Sequence, residues 1–424
     1  MRSVSDEVTR DAVEAVFRIE APRLIGALAR LTRDVGRAED LAQDALVAAL
    51  EQWPRDGLPG NPAAWLMAAA KNRAVDGFRR EAMQRRVHES FGDAPEPRAA
   101  IESMDQAIDD DLGDDLLRLM FVACHPALPS DGRVALTLRV LGGLTTTEIA
   151  RAYLTPETTI AQRIVRAKRT LAEKRVPFEV PRGDERAARL ASVLETIYLV
   201  FNEGYAASSG NEWMRPELSE EALRLGRVLA GLAPYEPEVH GLVALMELQA
   251  SRFPARRAPD GTPVLLLDQN RALWDPLLVR RGLAALDRAS RLATRPGPYA
   301  LQAAIAACHV RAPTAVETDW RAIVSLYDAL LGWMPSPVVA LNRAVAVGMA
   351  SGPAEALPLV DALAADPALA SYHLLPGVRG DLLEKLGRRD EARAEYERAA
   401  SLTGNARERD LLKGKAARCA ARRP

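Results

Sequence analysis

Apolar residues recur at three- and four-residue spacing along nearly the whole chain, and no stretch alternates apolar with polar residues for the length of a strand. This period predicts three helical blocks. The first spans residues 6–85, the second 111–176 and the third 184–424. Turn-rich segments separate them: Phe91-Gly-Asp-Ala-Pro-Glu-Pro97 before the second block, and Pro177 with Pro181-Arg-Gly183 after it. The expected architecture is all-α, with domains at 1–85, 111–178 and 179–424 and a linker at 86–110.

Within the first block, Ala38 to Trp53 has two unlike faces. Leu46, Ala49, Leu50 and Trp53 form an apolar one, the expected core side. Asp40, Gln43, Asp44, Val47 and Glu51 follow helical spacing on the other and make a mostly acidic stripe suited to a basic partner. A loop follows, Pro54 to Asn61. Asn61 caps and Pro62 opens the next helix, which carries Met67, Ala70, Ala74 and Phe78 on its apolar side. Lys71, Asn72, Arg73, Asp76, Arg79 and Arg80 supply donors and charge on the other side, the chemistry that grips phosphates and base edges.

The second block reads as a helix-turn-helix. Arg133 to Leu141 is a helix ended by Gly142-Gly143. Thr145 and Glu148 form a capping box, and Glu148 to Tyr153 is a short helix. Leu154-Thr155-Pro156 is the turn, with Thr155 as cap and Pro156 at the first helical position. In the following helix Ile160, Ile164 and Ala167 face inward. Glu157, Thr158, Thr159, Gln162, Arg163 and Arg166 are the candidate groove contacts, because such a helix reads bases from its first turns.

The third block carries a weak repeat. Gly352-Pro-Ala-Glu-Ala356 and Arg388-Arg-Asp-Glu-Ala392 each mark a turn between two helices. Their separation is close to the ~34-residue period of stacked tetratricopeptide-like hairpins, which leave a concave surface for a partner.

Charge sharpens this division. The 424 residues carry a formal charge of −1, but Lys71–Arg86 holds six basic and two acidic residues and Arg151–Arg175 seven and two. Glu89–Asp115 holds ten acidic residues and one basic. Two basic patches joined by an acidic strap suit two separate DNA contacts and a cationic partner surface. The three cysteines, Cys124, Cys308 and Cys419, form no CxxC pair, which fits a reducing cytoplasm. The adjacent pairs Cys124-His125 and Cys308-His309 point about 100° apart on a helix, so neither converges on one ion. There is no run of 18 apolar residues and no basic-then-apolar leader. Neither a cofactor nor a metal nor a membrane is expected.

AEDLAQDALVAALEQW, the loop and WLMAAAKNRAVDGFRR together resemble region 2 of extracytoplasmic-function sigma factors, and EIARAYLTPETTIAQRIVRAK resembles their region 4. The resemblance implies that Asp40, Gln43, Asp44 and Val47 meet the clamp helices of the largest subunit of core RNA polymerase, and that the polymerase flap is a second contact. It implies that Gly57 to Asn61 capture a flipped base of the −10 promoter element while Lys71, Asn72, Arg73, Arg79 and Arg80 hold its backbone, and that region 4 reads the −35 element. It places the acidic linker on a path through the basic RNA channel. Two departures stand out: Leu154-Thr155 replaces the usual Leu-Gly, and Ala161-Gln162 replaces the common Lys-Ser. IYLVFNEGYAASSG, LLLDQNRALWD and FVACHPALP resemble the subgroup with a C-terminal tetratricopeptide-like extension, for which a controlling role and a protein partner at its surface are expected. An enzyme built on Glu203, Tyr205, Asp268 and Asp275 is disfavoured, since no nucleophile motif or phosphate-binding loop accompanies them; these residues are expected to be structural. A helix-turn-helix regulator with a sensing domain is the alternative, but it leaves the first block unexplained.

Overall fold

The computed structural model describes residues 4–88, 112–259 and 261–421. Among these residues every regular element is helical: eighteen α-helices and four short 3-10 turns. The acidic linker expected at 86–110 lies outside the described residues from Glu89 onward. The chain divides into two compact units, Met1–Ile197 and Tyr198–Pro424.

The first unit begins with α1 (Val4–Thr32), α2 (Val35–Asp56) and α3 (Pro62–His88). The Asp34 carboxylate accepts from the Arg37 amide at 3.0 Å and so restarts the chain as α2 directly after α1. Ala38, Ala42, Ala45 and Ala49 are the buried stripe of α2, small enough for close approach to α1, whose buried face is Phe17, Leu24, Ile25 and Leu28. Trp53 and Trp65 close the α2–α3 corner edge to face, with ring centroids 5.3 Å apart. Ala49 and Trp53 are buried as expected, while Leu46 and Leu50 are only half-buried.

The rest of this unit is α4 (Leu112–Ala123), α5 (Ser130–Val140), α6 (Thr146–Ala152), α7 (Glu157–Glu173) and the start of α8 (Gly183–Tyr205). Helix α4 packs closely on α1 at Gly26, where a Cβ would lie 3.2 Å from the Asp115 carbonyl oxygen. The capping box of α6 is present, with the Thr145 hydroxyl accepting from the Glu148 amide at 3.1 Å and the Glu148 carboxylate accepting from the Thr145 amide at 2.7 Å. The turn into α7 differs from expectation. Pro156 occupies the cap position, Glu157 is the first helical residue, and the Thr155 hydroxyl donates back to the Tyr153 carbonyl instead of capping. The left-handed residue of the turn is Leu154, at φ +47°, one position before the Thr155 that stood in for the family glycine.

Helix α8 shows why the first unit runs past residue 178. Arg189 donates to the Phe121 carbonyl at 3.1 Å, Ser192 to the Cys124 carbonyl at 2.5 Å, and Arg133 pairs with Glu195 at 2.9 Å. The Pro- and Gly-rich break at 177–183 is therefore a turn inside the unit.

The second unit is a succession of helical hairpins: α9 (Pro216–Leu232), α10 (Pro237–Ala250), α11 (Pro276–Leu292), α12 (Pro298–Arg311), α13 (Trp320–Leu331), α14 (Pro337–Ser351), α15 (Pro353–Leu363), α16 (Leu374–Lys385), α17 (Arg389–Leu402) and α18 (Ala406–Ala421). Six of them start with proline in the first turn, where its missing N–H costs nothing. Their cores are shared. Ala303, Ala306 and Ala307 of α12 pack with Leu245, Leu248 and Leu286, while Leu301 and Ile305 of the same helix pack with Ile323 and Leu330. Helix α14 does likewise, giving Ala346 to one cluster and Leu341 and Ala344 to the next. The two turns read as a repeat fall between α14 and α15 and between α16 and α17.

Candidate functional site

On α2, Asp40, Asp44, Val47 and Glu51 are exposed and Gln43 is half-buried, so the acidic stripe faces water. Val47 is 51 % exposed although apolar, which gives the stripe a greasy centre. The loop at Gly57–Asn61 is open. Gly57 takes φ +85°, nothing stands within 4 Å of a Cβ built on Gly57 or Gly60, and Leu58 projects into solvent. The Asn61 carboxamide caps α3, accepting from the Ala64 amide at 3.1 Å. Asn72 and Arg80 are exposed, and Lys71 and Arg73 half-buried; the side chain of Arg79 lies outside the described residues. Arg80 donates to the Asp76 carbonyl at 3.3 Å.

On α7, Ile160, Ile164 and Ala167 are buried, and Glu157, Thr158, Gln162 and Arg166 exposed. Thr159 is half-buried. Arg163 is drawn aside by Asp131 at 2.9 Å, so of the six candidates it is the one with a protein partner already engaged. The α6 end of this motif is charge-locked: burial pushes the Glu148 carboxyl up, but the Thr145 amide and hydroxyl and the Arg18 guanidinium outweigh burial and hold it below the usual carboxylate range.

One residue of this unit was missed in the sequence. Glu39, next to Asp40, is only 4 % exposed and lies under Arg139 of α5 at 2.8 Å and Lys168 of α7; Lys168 also reaches Asp40 at 3.4 Å. Nothing in the string AEDLAQD separates this acid from its exposed neighbours, because its partners lie about 100 residues away.

The Cys-His pairs are packing residues. The Cys124 sulfur lies 3.3 Å from the Thr137 hydroxyl, and burial pushes its thiol up, away from the thiolate a metal needs. Of the four residues weighed for an enzyme, Glu203, Tyr205 and Asp275 have structural partners, while Asp268 is exposed and lines the groove described below. Glu203 pairs with Arg215, the Tyr205 ring lies 3.5 Å under the Arg256 guanidinium, and Asp275 caps α11 at 2.8 Å. In the second unit a groove of about 810 Å³ is lined in part by Leu265, Leu267, Val345, Met349, Val378 and Leu412. No helix among the described residues is long and apolar enough to cross a membrane.

Comparison with known proteins assigns parts of the chain to three families. Residues 16–83 match the Sigma-70 region 2 family, residues 118–171 the Sigma-70 region 4 family, and residues 189–290 a family of unknown function, DUF6596. The chain is 46 % identical over 389 residues to the uncharacterized protein R00370 of Rhizobium meliloti, covering 91 % of each. It is 32 % identical over 166 residues to the ECF RNA polymerase sigma factor SigK of Mycobacterium ulcerans, 38 % of this chain and 84 % of that protein. The Mycobacterium tuberculosis SigK (strain H37Rv) is 32 % identical over 153 residues, 35 % of this chain and 78 % of that protein. With these relatives, and with a region 2 match followed by a region 4 match over a helix-turn-helix, the chain belongs to the extracytoplasmic-function RNA polymerase sigma factors, which act in promoter recognition and transcription initiation.

Proposed function

We propose that Asp40, Gln43, Asp44 and Val47 dock on the clamp helices of core polymerase, with region 4 on the flap. In this reading the loop Gly57–Asn61, with Lys71, Asn72, Arg73, Arg79 and Arg80, holds the opened −10 element. Glu157, Thr158, Thr159, Gln162, Arg163 and Arg166 read the −35 element, Arg163 after leaving Asp131. The protein works in the cytoplasm as a non-enzymatic initiator. The region we assign as an extension, residues 179–424, controls its output through a protein partner seated in the groove of the second unit. The observation that carries the reading is the exposed stripe of α2, which keeps three carboxylates and an apolar residue in water beside an open loop and a basic helix. Surface of that kind is a recognition surface rather than a folding requirement.

The test is run-off transcription with core enzyme. Asp44→Arg reverses one charge of the stripe and is expected to lower affinity for core by at least about tenfold, equivalent to ~1.4 kcal/mol, with the helical circular dichroism unchanged. Core binding equal to that of the parent chain removes the assignment of this face.

A further inference from the structure

Two strings of the sequence take no part in either proposed DNA contact, IYLVFNEGYAASSG and LLLDQNRALWD. They meet in the second unit. Tyr205 of the first string accepts a hydrogen bond from Arg252 at its hydroxyl and one from Arg256 at its carbonyl. Arg271 and Trp274 come from the second string, with the Arg271 guanidinium 5.0 Å from the Trp274 ring centre. All five residues fall within 189–290, the stretch that matches the family of unknown function. The three arginines are a cluster of like charge. Arg252 and Arg256 are buried, and Arg271 is half-buried. Burial, opposed by Tyr205 and reinforced by Arg252, pushes Arg256 down to about 10. Burial and then Arg252 also push Arg271 down, outweighing the more distant Glu317.

Every partner that these arginines hold is neutral: Tyr205, Gln249, the carbonyls of His309 and Ala312, and the Thr318 hydroxyl. Among the described residues none of the three has a carboxylate at ion-pair distance. Their exposed neighbour Arg257 does have one, Glu212 at 3.9 Å. Charge this deep in a protein is ordinarily paired. Polar atoms are also left over. The Nε of Arg252, the Nε of Arg271, the indole N–H of Trp274 and the Nδ1 of His309 have no hydrogen-bond partner. Arg252, Trp274 and His309 are each only 7 % exposed, so water does not readily serve them. We propose that this cluster is the site of a small oxyanion, a phosphate or carboxylate group, which supplies the missing negative charge and takes up the spare donors. The guanidinium fork suits either, because it sets two N–H groups against two oxygens. The same segment between α10 and α11 gives Leu265 and Leu267 to the groove of the second unit, so an anion seated here steadies part of the groove lining.

The test is thermal unfolding of the full chain in inorganic phosphate, in acetate, and in chloride at matched ionic strength. Phosphate or acetate at about 10 mM should raise the midpoint of the second unit's transition by about 3 °C or more, saturably, and chloride should not. The more effective of the two identifies the head group. Hydrogen exchange should place the added protection around Arg252, Arg256 and Arg271 and in α12. Phosphate that merely imitates a DNA backbone would protect α3 and α7 instead. Arg252→Met should weaken the anion by at least about tenfold and so remove most of the shift. A purely structural arginine would lower the midpoint equally in all three salts. The absence of a saturable shift in the parent chain, protection confined to the first unit, or a full shift in Arg252→Met each overturns the site. If Arg252→Met does not fold, the exchange map of the parent chain decides alone. None of these readouts involves polymerase, so the sigma reading stands or falls separately.

Discussion

Helices α2 and α7 of the first unit are amphipathic, whereas α12 and α14 of the second are apolar on two sides, and the two pairs spend their surfaces differently. Helix α2 buries one alanine-rich stripe and leaves Asp40, Asp44, Val47 and Glu51 in water; α7 buries Ile160, Ile164 and Ala167 and leaves Glu157, Thr158, Gln162 and Arg166 free. Helices α12 and α14 instead belong to two cores each. A helix with a single buried stripe has one face fixed by folding and another free to vary. A helix in a stack answers to both neighbours, and only the groove left between layers is available for binding. Substitutions should therefore be tolerated by face in the first unit and by layer in the second.

The largest effect that would sharpen this contrast is at Tyr396. Its ring is fully buried, its hydroxyl donates to Glu384 at 2.7 Å, and α16 approaches so closely that a Cβ on Gly380 would lie 3.0 Å from the ring. Tyr396→Ala should cost about 4 kcal/mol through the cavity it leaves. Hydrogen exchange should report it as lost protection in α15 to α18. Protection unchanged there would mean that the layers do not depend on one another.

A somewhat smaller effect follows from pH. Burial, then Arg252 and Arg271, push His309 down to about 4, with its ring edge-on to Trp320 at 5.2 Å. Its folded value lies below the ordinary one near 6.5, so the unfolded chain takes up the proton first. The stabilisation is complete above about pH 6.5 and is lost as pH falls toward 4, by about 3 kcal/mol at the lower end. Denaturant midpoints of the second unit's transition should fall less steeply with acid in His309→Leu than in the parent. Parallel slopes would show that this histidine does not titrate on unfolding.

Much of the first unit was legible because its logic is local. The 3.6-residue period gave the stripe of α2, Asn61 and Thr145 gave helix starts through their own side chains, and the buried and exposed positions of α7 followed from spacing alone. What stayed hidden depends on distant sequence. Glu39 looks like its neighbours until α5 and α7 are brought beside it. The N-terminal part of α8 stands after a proline break yet packs with α4 and α5. In the second unit the hairpin turns at Gly352 and Arg388 were visible. The doubling of α12 and α14 between layers was not, because a helix apolar on two sides has no strong period to read.

The smallest effect lies in the turn of the helix-turn-helix, where local signal and family pattern disagreed by one residue. Leu154 holds φ +47° with its side chain 56 % exposed, so it pays for a left-handed backbone without a core contact in return. That conformation costs an L-residue roughly 1–2 kcal/mol, and glycine returns roughly 0.5–1 of it through the greater freedom it gives the unfolded chain. Leu154→Gly should therefore stabilise the first unit by up to about 1 kcal/mol and leave α7 in place. Thermal denaturation of the full chain checks the sign. A destabilised variant would show that Leu154 is held by packing, and that this turn, unlike the exposed face of α7, answers to more than its own backbone.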